Sequence, residues 1–149
     1  KLVLFSKFLL KTEKIYGLQT ELFINKPKIT KGHPFHQDDF FLGTGKNNSL
    51  NAWIPLVDTN KMNGCLVFCL NSHKKGILKT INNNSLNHKK NGISFFNKFK
   101  LKNINCKIGD VVFISNNIFH KSYDNKSNSR FKKRNFSPTN NGVKAKTVA

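Results

Sequence analysis

His36 and Asp38 are separated by a single residue, Gln37, and both side-chain types bind divalent metals. On an extended strand, side chains two residues apart project from the same face, so these two can converge on one ion while Gln37 points away. His120 would add a second imidazole from a distant strand. Two histidines and one carboxylate, with the rest of the coordination sphere open, are the ligand set of non-haem Fe(II) oxygenases. Arg130 follows His120 on the next expected strand and is one of only two arginines, with Arg134. Its planar, permanently charged fork suits a bidentate grip on the carboxylate of a co-substrate. Ser122, two residues past His120 and therefore on its face, can donate a hydroxyl hydrogen bond to the same carboxylate.

Each of these residues has a rival. Asp39 competes with Asp38, but strand alternation turns it to the face opposite His36. Phe35, Phe40 and Phe41 flank the pair, and a carboxylate buried among them without a partner is costly, a need that a metal meets. His33 sits in a Gly-Pro loop and His88 in a polar stretch where a solvated imidazole is the default. His120 instead follows the strand-like run Gly109-Asp110-Val111-Val112-Phe113-Ile114. Arg134 takes the place of Arg130 if the register of the last strand slips.

Such a site needs a scaffold that brings distant strands together. Residues 1–16 carry Leu2, Phe5, Leu9 and Leu10 near helical spacing and are expected to form an amphipathic helix packed on a sheet. After Gly17, short β-branched and aromatic runs alternate with Gly, Asn, Pro and Asp clusters, the grammar of strands and turns. Strands are expected at 20–26, 35–41, 52–57, 65–70, 110–115, 118–123 and 130–136. So many short strands in a chain of 149 residues point to an all-β core, a double-stranded β-helix of jelly-roll, cupin-like form with a short N-terminal helix. Between 71 and 105 the pattern weakens. Asn82-Asn83-Asn84 and His88-Lys89-Lys90-Asn91-Gly92 read as an exposed excursion, with 93–99 returning to the sheet. One domain is expected over 1–136, and 137–149, which lacks periodicity, reads as a disordered tail. The chain opens without Met and directly in apolar text, so this domain is expected to be an N-terminally incomplete fragment of a longer one.

The order and spacing of the motifs carry a resemblance. Pro34-Phe35-His36-Gln37-Asp38, Trp53-Ile54-Pro55-Leu56-Val57-Asp58, Asn63-Gly64-Cys65-Leu66, Ser72-His73-Lys74, Gly109-Asp110 and His120-Lys121-Ser122 with Asn125 and Arg130 resemble the phytanoyl-CoA dioxygenase family of Fe(II)/2-oxoglutarate oxygenases. The resemblance spans 19–130. It implies Fe(II) held by His36, Asp38 and His120, with 2-oxoglutarate and O2 as co-substrates. It also implies that His73 belongs to a structural turn. By the same resemblance Trp53 is an aromatic near the co-substrate, although a Trp on an apolar strand is commonly core, and Gln19 is a polar residue facing the pocket. The implied reaction hydroxylates an unactivated C–H bond of a small-molecule substrate and releases succinate and CO2.

The net charge of +19 raises a different class, a nucleic-acid or anionic-membrane surface. Lys supplies nearly all of it, and Lys, Asn, Ile and Phe, all with A/T-rich codons, are abundant together. Readers of guanine and phosphate rely on Arg, which is scarce here, so no specific nucleic-acid partner is expected. A basic nucleic-acid-associated protein and a catalytically inert jelly-roll ligand binder stand as the alternative readings. Cys65, Cys69 and Cys106 form no C-x-x-C pair, and two of them lie in an apolar run, which fits a reducing, cytoplasmic compartment. The apolar stretch 2–10, interrupted by Lys7, is too short to span a bilayer.

Overall fold

Two short apolar runs, at 66–69 and 111–115, take the two central places in the fold. The computed structural model describes residues 1–45, 48–77 and 98–128, together with the backbone of 145–147. The first half contains α1 (Leu2–Leu10), α2 (Asp39–Leu42), β1 (Leu50–Trp53), β2 (Leu66–Cys69) and a 3-10 turn (Ser72–Lys75). The second half contains β3 (Leu101–Ile104), β4 (Val111–Ser115), β5 (His120–Ser122) and β6 (Ala145–Thr147). These strands form two three-stranded sheets, in the orders β1-β4-β6 and β3-β2-β5. All pairs are antiparallel except β4 with β6, which is parallel.

The core lies between the sheets. Phe68 and Ile104 from one sheet pack with Val112 and Ile114 from the other, joined by Cys106 and Ile118 and flanked by Trp53, Leu66 and Leu70. Alternation sends Phe113 to the outer face of β4, where its ring lies 6.0 Å from Phe5 of α1. A strand covered on both faces reads as a continuous apolar run, as Val111 to Ile114 does. The chain enters β4 through a turn at Gly109, whose φ of 91° suits a residue without a Cβ. Asp110 closes that turn by accepting the Lys107 N–H at 2.9 Å.

Several expected elements differ from those observed. The helix ends at Leu10, not near residue 16, because Lys11 adopts a left-handed conformation. Thr12 Oγ1 then engages both the N–H and the carbonyl of Lys14, competing with helical bonding. No strand forms at 20–26. Leu22, Phe23 and Ile24 are exposed, and β propensity without a neighbouring strand to pair with leaves irregular chain. The strand expected at 35–41 is reduced to one bridge at His36, after which Asp38, with φ −63° and ψ −36°, starts the helical turn α2. The strand expected at 52–57 is β1, which stops before Pro55, a residue with no N–H for the ladder.

The expectations for 65–70, 110–115 and 118–123 contain β2, β4 and β5. β3 was not anticipated. It is an edge strand whose only buried residue is Ile104, and an edge tolerates the polar text that conceals it. The expected strand at 130–136 and the return at 93–99 lie outside the described residues, apart from 98–99, which are not in a strand. Within the tail expected to be unstructured, 145–147 forms β6, paired in parallel with β4 on the side away from β1.

Candidate metal centre

The register of β5 on β2 sets His120 opposite Phe68, a core residue, so the imidazole stands on the inner face of its sheet. The phenyl ring meets it edge-on at 6.0 Å and 79°. On the other sheet, β1 sets Asn51 opposite Ile114 and Trp53 opposite Val112, both core residues, so these two also face inward. The site is therefore built where the inner faces of the two sheets meet, with His36 and Asp38 arriving on the segment between them.

His36 is fixed by a two-way backbone bridge to His120. Gly32 makes the approach feasible, since a Cβ there would overlap the backbone of Ser122 and Tyr123. The Gly32 N–H donates to Asp124 Oδ1 at 2.9 Å, and the His33 N–H to Ser122 Oγ at 2.8 Å. Gln37 points away, as alternation requires, and its amide donates to the carbonyls of Gly76 and Asn117. Asp38 then reaches the site from the first turn of α2 rather than along a strand. Asp39, the rival, is 1% exposed, and its carboxylate accepts the N–H and hydroxyl of Thr44.

Among the described residues, His36, Asp38 and His120 form a group whose ligating atoms all lie within 4.8 Å of one another. Asp38 Oδ1 is 3.3 Å from His36 Nε2 and 3.7 Å from His120 Nε2. Each imidazole is oriented by its own chain. His36 Nδ1–H donates to the Pro34 carbonyl at 2.8 Å and His120 Nδ1–H to the Ile118 carbonyl at 3.0 Å. A carbonyl only accepts, so the proton is on Nδ1 and the lone pair of each neutral ring is on Nε2, toward Asp38. Asp38 Oδ2 accepts from Asn51 Nδ2 at 2.6 Å.

The charges respond to this crowding. Burial opposes the charged form of His36, but its bond to Asp38, the Pro34 carbonyl and the Asp38 charge outweigh it and raise its pKa. Burial lowers the pKa of His120, with the His36 charge adding to the effect and the Asp38 charge opposing it. Burial also opposes ionisation of Asp38, yet the His36 bond, the two nearby imidazoles and the Asn51 bond hold its carboxyl below the usual range. One carboxylate and two oriented imidazole lone pairs converging on one point fit a divalent cation.

Ser122 lies on β5 with its Oγ accepting from His33, which leaves its own hydroxyl hydrogen free to donate. Trp53 faces inward beside Asn51 and packs on the core. Gln19 is exposed and donates to Glu21, so its observed contact is local. Arg130, Arg134 and His88 lie outside the described residues. His73 occupies the 3-10 turn, where buried Ser72 accepts the Phe119 N–H next to His120. Asp58 and Asn125 hold loops together: Asp58 accepts from Ile108 N–H and Lys107 Nζ, and Asn125 ties residues 25, 28, 30 and 63 to the end of β5. Asn51 was missed by sequence reasoning. Its one signal was alternation, which puts it on the face of Trp53.

The sequence model of the family described as phytanoyl-CoA dioxygenase (PhyH) matches residues 4–134. The chain belongs to the phytanoyl-CoA dioxygenase family. It is 30% identical over 93 residues to "Phytanoyl-CoA dioxygenase 1" of Oryza sativa subsp. japonica, covering 62% of this chain and 33% of that protein. It is also 30% identical over 98 residues to "Phytanoyl-CoA dioxygenase" of Arabidopsis thaliana, with the same coverage, 62% and 33%. The chain thus spans about a third of the length of these family members. Among solved structures, it resembles the non-heme alpha ketoglutarate dependent carbocyclase SnoK from nogalamycin biosynthesis. The TM-score is 0.54 at 25% identity, over 70% of this chain and 42% of that one. The non-heme alpha ketoglutarate dependent epimerase SnoN shares the fold at TM-score 0.50 and 19% identity, over 66% of this chain and 36% of that one.

Proposed function

We propose that this chain is part of an Fe(II)- and 2-oxoglutarate-dependent dioxygenase that hydroxylates an unactivated C–H bond of a small-molecule substrate. The observation that carries this reading is the convergence of His36, Asp38 and His120 within 4.8 Å, in a member of the phytanoyl-CoA dioxygenase family. In this reading the two sheets belong to a double-stranded β-helix, whose inner faces hold the site. His36 and His120 would hold Fe(II) through Nε2 and Asp38 through Oδ1. Fe(II) bound there would supply O2 activation, coupled to conversion of 2-oxoglutarate to succinate and CO2, one oxygen atom going to succinate and the other to the hydroxylated product.

The chain's own residues do the rest. The two Nδ1–H bonds fix the tautomer of both rings and aim each Nε2 inward. Burial of His120 against Phe68 keeps bulk water from that side of the site. Ser122 would donate its hydroxyl, and Arg130 its guanidinium, to the distal carboxylate of 2-oxoglutarate. Trp53 would contribute an aromatic wall beside Asn51, and Gln19 a polar contact at the entrance. Cys65, Cys69 and Cys106 are buried and form no disulfide with one another, which supports a reducing, cytoplasmic setting. Among the described residues, no helix is long and apolar enough to cross a membrane.

The test is anaerobic loading with Fe(II), then exposure to O2 and 2-oxoglutarate with a metabolite panel, reading succinate. Substrate-dependent succinate, with one labelled oxygen from O2 in the product, is expected. Metal binding with no turnover of 2-oxoglutarate under any condition would favour the inert ligand-binding alternative.

A further inference from the structure

The two imidazoles and the carboxylate of the site are oriented by different means. Each histidine leans on the carbonyl two residues before it, Pro34 or Ile118, so its aim is set by its own chain. Asp38 has no such local support. It lies at the N-terminal end of α2, makes no side-chain capping bond there, and is not held by a strand ladder. Apart from the imidazoles that face Oδ1, its carboxylate is held by Asn51 on β1, whose Nδ2 donates to Oδ2 at 2.6 Å. That leaves Oδ1 as the oxygen that faces both imidazoles.

The bond also crosses the fold. His120 belongs to the β3-β2-β5 sheet, and His36 is bridged to it, whereas Asn51 belongs to the β1-β4-β6 sheet opposite Ile114. Asn51 is thus a contact through which the second sheet bears directly on a candidate ligand of the site. Its amide orientation follows from chemistry: the carboxylate accepts, so the NH2 end must face it.

We propose that Asn51 is a positioning residue that ties down Asp38 Oδ2, so that Asp38 offers a metal one oxygen and leaves a coordination position open for the co-substrates. This rests on the metal-centre reading above. An untethered carboxylate could rotate away from the imidazoles or present both oxygens, and either change would alter the metal's surroundings. Hydrogen-bonded partners of metal ligands typically affect metal affinity by about 10- to 100-fold.

The experiment uses the full chain and Co(II) as the probe, reading affinity by titration and ligand geometry by visible absorption. Asn51→Leu keeps the shape and removes the donor; Asn51→Gln keeps an amide donor at this exposed position. The Leu variant is expected to bind Co(II) about tenfold or more weakly and to shift its visible bands. The Gln variant is expected to recover most of the affinity and the original bands. Far-ultraviolet circular dichroism and melting of the metal-free variants verify the fold. Wild-type affinity and spectrum in the Leu variant would overturn the proposal, as would equal losses in the Leu and Gln variants. Asp38→Ala is measured alongside: if it too binds Co(II) as wild type does, the metal-centre reading itself fails, whereas its loss beside a normal Leu variant removes only the role of Asn51.

Discussion

His36 and His120 hold each other by their backbones. The His36 N–H donates to the His120 carbonyl at 2.8 Å, and the His120 N–H donates to the His36 carbonyl at 2.9 Å. This is a hydrogen-bonded antiparallel pair of one residue on each side. It brings the two rings to a centroid distance of 4.4 Å. The backbone positions of the two histidines are therefore fixed by the main chain, the Nδ1–H bonds to Pro34 and Ile118 then aim the rings, and Asp38 is added to that pair.

Replacing any of the three ligands should weaken metal binding. His36→Ala, Asp38→Ala and His120→Ala each remove one of three donors, and Co(II) or Fe(II) affinity is expected to fall by at least about 100-fold in each. His73→Ala, in the 3-10 turn, should leave affinity near wild type. Isothermal titration of the four variants decides this, and unchanged affinity in the three ligand variants would remove the metal centre.

The co-substrate should report on Arg130. Arg130→Ala is expected to weaken 2-oxoglutarate binding by roughly 2–4 kcal/mol, the cost of leaving a carboxylate without its charged partner. Metal affinity should stay the same. Ser122→Ala should have a smaller effect, since one neutral hydrogen bond is worth about 0.5–1.5 kcal/mol. If Arg134→Ala weakens co-substrate binding and Arg130→Ala does not, the carboxylate grip belongs to Arg134.

Gly32→Ala should loosen the His36 segment. The new Cβ would meet backbone atoms of Ser122 and Tyr123, which cannot swing aside as a side chain could. Overpacking of this kind costs about 1–3 kcal/mol. A lower melting temperature together with weaker Co(II) binding is expected, because the displaced segment carries His33 and His36 with it. A variant as stable and as tight as wild type would show that the approach at Gly32 does not set the site.

Cys69 should be slow to react in the folded chain. It is fully buried, and burial, partly countered by the Lys121 charge, pushes its thiol up to about 11 from an ordinary 9.0. The fold thus favours the neutral thiol. Its contribution to stability is complete below pH 9.0 and is lost between there and about pH 11, where the unfolded thiol ionises and the folded one does not. Disulfide-reagent titration at pH 8 should be slow natively and fast in denaturant, and urea midpoints should fall above pH 9.0. Rapid native labelling of Cys69 would contradict this.

Much of this organisation was legible in the residues themselves. The runs at 66–69 and 111–115 announce buried strands because a strand covered on both faces has no place for polar side chains. His36, Asp38 and His120 were legible as a candidate metal site because the chemistry of their donor atoms travels with their type. The family resemblance assigned His73 to a structural turn, and His73 lies in the 3-10 turn Ser72–Lys75.

Other features were decided by contacts that no local pattern encodes. Alternation along a strand selected Asp38 over Asp39, but in the folded chain Asp38 reaches the site from a helical turn, and Asp39 is claimed by Thr44. β3 is a strand because β2 lies beside it, and 20–26 is not a strand because none of the described strands pairs with it. Asn51 acquires its role only when the second sheet brings it to Asp38. Residue type and period determined which groups could bind a metal and which runs had to be buried. Direction, distance and partner were left to tertiary packing, because a hydrogen bond or a ligand set is satisfied by what is near in space, whatever its separation along the chain.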